Sequence, residues 1–336
     1  VSIYNGLAAI PIIEKFYKRY PNSTMADDVL FWAGDMYQRR KKYDSAINYF
    51  SRAANVNHPH DYCAESIWRQ AWIDIKRDKP VTAKKSLKQL INNNRCKYDS
   101  FQINRALYWL GKLSLKNGSK KVDLTYFKKI FLQAPLSFYS QLAINQLNDL
   151  SIEIDDKLLP KIPQQIERIS ICSENFSKNS YYREGLKYLK LGFLDEAKAM
   201  FASINYKKIA KSSFKNDSNC TTLTNSQVIA LLFDASGDKR AAHYLLRTKS
   251  KSILENPTKP EHFYMLKAAY PLLHRDLTEL NEKQFKTPNF LIQALIREES
   301  ALDADAISWA GAYGLTQLLY GVAKGVVKNS GLDIKL

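Results

Sequence analysis

The chain of 336 residues carries 45% hydrophobic side chains, enough for a large core and too many for global disorder. Gly and Pro number only 12 and 11, which favours long helices over a turn-rich all-β fold. The net charge of +17 points to acidic partners. Its lysines are spread over many segments (Lys15, Lys41, Lys84, Lys112, Lys128, Lys187, Lys239), not gathered on one element with interleaved aromatics, which argues against nucleic acid. No apolar run reaches the ~18 residues of a membrane span. The chain opens on Val1, so an export signal would lie outside it. Cys63, Cys96, Cys172 and Cys220 have no CxxC spacing and the histidines form no HExxH cluster, so no metal site is expected.

Residues 27–59 place Leu30, Gly34, Tyr37, Ala46, Phe50 and Ala53 at the spacings of a tetratricopeptide repeat, with Pro59 one place late for the closing proline. Small residues sit where two antiparallel helices cross, and large ones fill the gap to the next pair. Later copies are more worn. They keep Ile67, Ala71, Ala83, Leu87 and Leu90; then Leu107, Gly111, Phe127, Ile130 and Pro135; then Gly185, Tyr188, Ala197 and Phe201; then Ala230, Ala242 and Leu246. A small-to-small spacing of twelve recurs, with Asp123 replacing one small residue. A helical hairpin cannot bury its apolar face alone, so an all-α superhelical array of stacked hairpins is predicted. Such an array could bind peptide or serve only as a frame.

Segments 151–166 and 206–224 read as connections, the first broken at Ile162-Pro163, and the polar run Lys211–Ser226 reads as a surface loop. Pro257 and Pro260 punctuate the end of the repeats, dividing the chain into 1–258 and 259–336. Cys63 and Cys96 fall at the neighbouring ends of the second hairpin, so a bridge between them is geometrically allowed; an exported protein would favour it.

Thr287 and Pro288 look like a helix start. The following helix carries Ile292, Leu295 and Ile296 on one face, and Glu299 continues that stripe. Packing alone would put Leu there. A carboxylate at the edge of an apolar pocket is desolvated, which raises its pKa and suits it to general-acid work. The competing reading is an ordinary exposed glutamate at a helix end. Arg297 and Glu298 fall on other faces and are expected to meet solvent.

Residues Arg297, Glu298, Glu299, Ser300, then Ser308, then Gly311, Ala312, Gly314, Leu315 and Gln317 form a pattern that resembles the opening catalytic motif of the soluble lytic transglycosylases. Ala269-Tyr270-Pro271-Leu272 is similar to the segment that opens that family's catalytic domain. Pro135-Leu136-Ser137-Phe138-Tyr139, leading into a Leu–Ala helix, is similar to a turn in its helical region. Thr316, Leu319-Tyr320 and Trp309 depart from the family's pattern. The resemblance implies a helical superhelix followed by the start of a lysozyme-like α-helical domain. It also implies peptidoglycan as substrate and a periplasmic location.

By that resemblance Glu299 protonates the bond between N-acetylmuramic acid and N-acetylglucosamine, then takes the proton of the C6 hydroxyl as a 1,6-anhydro ring closes. Ser308 would sit by the glutamate, and Gly311, Gly314 and Gln317 would line the sugar groove. Asp303 and Asp305 read as turn residues. No cofactor or metal is implied, and other cell-wall enzymes are candidate partners. The family's domain continues well past the equivalent of Leu336, with an Asn–Ala–Gly motif not found here, so 259–336 is expected to be its incomplete N-terminal part. The alternative function is a non-catalytic envelope protein or scaffold that binds glycan or protein through the helical array.

Overall fold

The computed structural model describes residues 3–57, 62–92, 100–115, 124–161, 163, 170–172, 174–209 and 220–331. By internal contacts the chain forms two compact units, Val1–Lys161 and Ile162–Leu336.

The first unit holds α1 (Ile10–Arg19), α2 (Ala26–Arg39), α3 (Tyr43–Ala54), α4 (Cys63–Lys76), α5 (Pro80–Asn92), α6 (Ser100–Leu115), α7 (Thr125–Gln133) and α8 (Phe138–Asp149). Helices α2/α3, α4/α5 and α6/α7 are the predicted hairpins. The positions that defined the repeats are the ones removed from water: Leu30, Ala46, Phe50, Ala53, Ile67, Ala71, Ala83, Leu87 and Leu90 are fully buried. Gly34 and Gly111 are required by close approach. A Cβ on Gly34 would lie 2.6 Å from the Phe50 ring, and one on Gly111 2.7 Å from the Phe127 ring. The Pro135 turn does lead into a helix, because the Ser137 hydroxyl caps α8 by accepting from the Ser140 N–H at 3.2 Å.

The second unit holds α9 (Glu174–Ser177), α10 (Ser180–Leu191), α11 (Leu194–Ala202), α12 (Asn225–Ala235), α13 (Lys239–Lys249), α14 (Lys251–Glu255), α15 (Pro260–Ala269), α16 (Arg275–Gln284), α17 (Leu291–Ser300), β1 (Ala312–Tyr313), β2 (Leu318–Leu319) and α18 (Tyr320–Ser330). Hairpins α10/α11 and α12/α13 repeat the design, with Gly185 against Phe201 at 2.5 Å for an added Cβ. Helix α15 adds Met265, Ala268 and Ala269 to the same core as Ala230 and Ala242. Residues 225 and 226, read as loop, open α12. Thr224 and Gln227 form a capping box there that ends the polar run. The expected all-α class is what the structure shows; the only strands among the described residues are the two-residue pair β1 and β2. No helix among them is long and apolar enough to cross a membrane.

Cys172 and Cys220 are disulfide-bonded across a separation of 48 residues, a pairing the sequence reading missed. Cys63 is also in a disulfide; its expected partner, Cys96, lies outside the described residues, as do Pro59, Asp123 and 211–219 of the polar run.

Candidate active site

Helix α17 carries Glu299, and its entrance is set by a buried charge. Glu282 of α16 has a fully buried side chain and pairs with Arg275 Nη1 at 2.6 Å. It also accepts the N–H of Ile292 at 3.4 Å. Burial works against its charged form, yet the Arg275 guanidinium and the N–H groups of Phe290 and Ile292 hold the carboxyl below the usual carboxylate range. A carboxylate at the first turn also suits the positive end of the helix. Phe290 takes a left-handed backbone (φ 64) and lies under Arg275, 4.3 Å from its ring centre. These contacts start α17 at Leu291, later than Thr287 and Pro288 implied.

The buried face of α17 is Gln293, Ile296 and Ser300. Gln293 donates to the Leu273 carbonyl at 2.5 Å and to Thr278 Oγ1 at 3.0 Å, and the Ser300 hydroxyl donates to the Ile296 carbonyl at 2.9 Å. Glu299 is on a different face, with Ile292 and with Leu295, which is 44% exposed. The expectation of a desolvated carboxylate is thus corrected. Polar residues with internal partners take the buried side, and Glu299 is exposed, with no hydrogen bond or ion pair among the described residues.

Two ion pairs tie the segment around Glu299 to the hairpin core. Arg247 of α13 donates to Glu298 Oε2 at 2.8 Å, and Arg240, two turns earlier on the same helix, pairs with Asp303. Arg297 lies 5.1 Å from the centre of the Tyr270 ring. Glu298 is exposed, as expected, and Arg297 is half-buried; both also make these contacts. His243, buried on α13, bonds through Nδ1 to the Ala269 carbonyl at 2.6 Å, and burial pushes its pKa down.

Beyond α17 the chain turns through Ala301 and Leu302, both left-handed at φ 51 and 71. Asp303 closes this turn by accepting the Asp305 N–H at 3.0 Å, as a turn residue should. The next loop is bonded to itself. The Ser308 N–H donates to the Ala312 carbonyl at 2.9 Å, and the Ala312 N–H returns to Ser308 Oγ at 3.0 Å. Gly311 (φ 72) and Gly314 (φ 70) supply the turns. Gln317 Nε2 donates to the carbonyls of Ala306 at 3.1 Å and Gly314 at 2.9 Å. Ser308 and Gln317 therefore brace the loop. The structure shows no hydrogen bond from either to Glu299, so Ser308 is not seen to polarise it. Around them Ile307, Tyr313, Tyr320 and Val322 are more than half exposed, and Trp309 is fully so.

Residues 276–335 match the model of the transglycosylase SLT domain. Residues 28–57 match a tetratricopeptide repeat, covering α2 and α3. The likeness read from Arg297–Gln317 and that read from the first hairpin are thus each matched by a domain model. No curated protein matches the chain. Among solved structures, an inactive mutant of lytic transglycosylase Slt from Pseudomonas aeruginosa is similar with a TM-score of 0.63 and 16% identity over 99% of this chain and 47% of that one. The 70 kDa soluble lytic transglycosylase from Escherichia coli gives 0.53 and 16% over 98% and 46%. A complex of the 70-kDa soluble lytic transglycosylase with bulgecin A gives 0.51 and 15% over 100% and 54%. At these identities the likeness is one of fold, and the chain spans about half the length of these proteins.

Proposed function

We propose that this chain belongs to a peptidoglycan lytic transglycosylase. The observation that carries the reading is the SLT-domain match over 276–335, which contains a carboxylate at the end of α17 followed directly by a glycine-turned loop. In this reading Glu299 donates its proton to the glycosidic oxygen between N-acetylmuramic acid and N-acetylglucosamine. It then accepts the proton of the muramic acid C6 hydroxyl as that oxygen attacks the anomeric carbon. The product is a 1,6-anhydro ring, water is not consumed, and no second carboxylate is needed. One residue serving as acid and then base follows the logic of retaining glycosidases.

A general acid works in a desolvated site, and the carboxylate of Glu299 is exposed. A glycan strand laid over Ile292, Leu295 and Glu299 would expel water from that face and supply the desolvation. In the same reading Gly311 and Gly314 let backbone approach the sugar, and Ser308 and Gln317 hold the loop that forms the groove edge. The Cys172–Cys220 bridge supports an oxidising compartment and so a periplasmic location. Residues 1–258 would act as the helical array and 259–336 as the start of the catalytic domain.

The test is incubation with purified sacculi and mass spectrometry of the products. Anhydro-muropeptides are expected, and Glu299→Gln should lower their formation by at least about 10²-fold, the scale of general acid–base catalysis. Reducing-end products would indicate a hydrolase instead. The exposure of Glu299, with no partner to tune it, favours the second reading of a non-catalytic envelope protein; sacculus binding without turnover would select it.

A further inference from the structure

His243 of α13 lies at the junction with the end of α15 and the last turn of α17, and it is only 2% exposed. Its Nδ1 faces the Ala269 carbonyl at 2.6 Å. Two acceptors cannot bond, so the neutral imidazole keeps its proton on Nδ1 and a lone pair on Nε2. That bond fixes the chain as it leaves α15. Tyr270, the next residue, is held edge-on to the imidazole with ring centres 6.2 Å apart. The same tyrosine carries Arg297 of α17, 5.1 Å from its ring centre. Arg297 Nε donates to Glu298 Oε1 at 3.2 Å, and Glu298 Oε2 accepts from Arg247, one turn beyond His243 on α13. The contacts form a closed circuit that starts and ends on α13, and Glu299 directly follows Glu298.

The charges acting on the imidazole are Arg247 from its own helix and Arg297 and Glu298 from α17. Two are cations, and the single acid is already shared between them. Elsewhere on α13, Lys239 is tied to Asp234, the one charged residue of α12, and Arg240 to Asp303. Helix α14 brings Lys251 and Glu255. Helix α15 brings the exposed Lys267 and, about 10–12 Å before Ala269 at ~1.5 Å per residue, Glu261 and His262. A proton on Nε2 would add a third cation to the cluster in a buried place. Burial above all, with Arg247 and Arg297 behind it, pushes the pKa of His243 down against the Ala269 bond and Glu298. The opened imidazole therefore takes up a proton more readily than the closed one. Closure is at full strength above the ordinary histidine value of 6.5 and weakens as pH falls below it.

We propose that His243 is an acid-operated latch: its protonation releases Tyr270 and Arg297 and so frees the last turn of α17 from α13. The latch does not depend on the activity proposed for Glu299, because its readout is structural. The experiment is amide hydrogen exchange of the full chain at pH 7.5 and pH 5.5, corrected for the intrinsic pH dependence of exchange. One unit below 6.5 the opened imidazole is protonated about ten to one, so linkage raises local opening by at most about tenfold. A rise of about 3–10-fold is expected over residues 268–272 and 296–300, with α10 unchanged. His243→Asn puts an amide N–H near the Nδ1 position and cannot charge; it should keep the protection seen at pH 7.5 and lose the response. His262→Gln removes the histidine of α15 and should keep the response. No rise in the parent, the same rise in His243→Asn, or its loss in His262→Gln would overturn the proposal. So would an NMR titration of the parent in which His243 charges at or above pH 6.5, a measurement that needs no variant.

Discussion

The glycine–phenylalanine crossing in the hairpins can be tested by one methyl group. In Gly34→Ala the new Cβ would stand 2.6 Å from both Cδ1 and Cε1 of Phe50. Ordinary carbon contacts are about 3.5–4.0 Å, so the ring must withdraw by about 1 Å. It has nowhere to go: Phe50 is fully buried and Phe31 packs on it at 5.4 Å between ring centres. Overpacking costs about 1–3 kcal/mol, whereas replacing a mid-helix glycine by alanine returns at most about 1 kcal/mol. The steric term wins, and a net loss of about 1–2 kcal/mol is expected. Urea unfolding followed by tryptophan fluorescence suits the measurement. Trp32, Trp68, Trp72 and Trp109 lie in the first unit, and Trp309 is already fully exposed. Gly34→Ala combined with Phe50→Leu should be less destabilised than the two single losses added, because the shorter side chain vacates the clash. Gly325 of α18 is the control. A Cβ there meets nothing within 4 Å, so Gly325→Ala should slow amide exchange in that helix. A Gly34→Ala protein as stable as the parent, or a double variant with additive losses, would refute the crossing.

Three further outcomes follow from the structure. Glu14, bonded to Arg52 and Tyr49, has its carboxyl lowered to about 2. A depressed acid contributes stability above its unfolded pKa and loses it as pH falls from about 4.5 to about 2. The side chain is 40% exposed, so screening limits the contribution to about 1 kcal/mol or less; Glu14→Gln should flatten that part of a pH-dependent unfolding curve. Replacing Arg240 and Arg247 by alanine should raise amide exchange over residues 297–306 by about 2–5-fold per lost pair, with little change in global unfolding. Cys172→Ser with Cys220→Ser releases a loop of 48 residues, and the second unit should lose about 2–4 kcal/mol in denaturant unfolding.

The hairpins were legible because their information is local. Small and large apolar residues recur at helical spacing, and each of those positions answers one packing demand. The surroundings of Glu299 were legible only in part. The stripe Ile292, Leu295, Ile296 and Glu299 suggested a buried face, but Gln293 and Ser300 occupy it with Ile296. They can do so because the Leu273 carbonyl and Thr278 Oγ1 accept from the Gln293 amide and the Ile296 carbonyl accepts from Ser300; the partners of Gln293 lie outside the helix and leave no mark on its periodicity. Glu282 and Arg275 were missed for the same reason, since a buried ion pair on α16 reads in sequence as an ordinary charged helix. The Cys172–Cys220 bridge joins segments 48 residues apart with no spacing rule to connect them.

The exposed acid is held by its backbone neighbours. Left-handed backbone at Ala301, Leu302 and Gln317 costs about 1–2 kcal/mol per residue. It persists because neighbours fix it: Leu302 is buried, Asp303 is tied to Arg240, and the Gln317 amide is bonded twice within the loop. On the other side of Glu299, Glu298 is tied to Arg247 and the start of α17 to Glu282. The backbone segments on both sides of Glu299 are constrained, while the carboxylate itself has no partner among the described residues. Under the proposed function, fixed backbone around an exposed carboxylate on a half-open apolar face would let a ligand, and not the protein, complete the acid's environment.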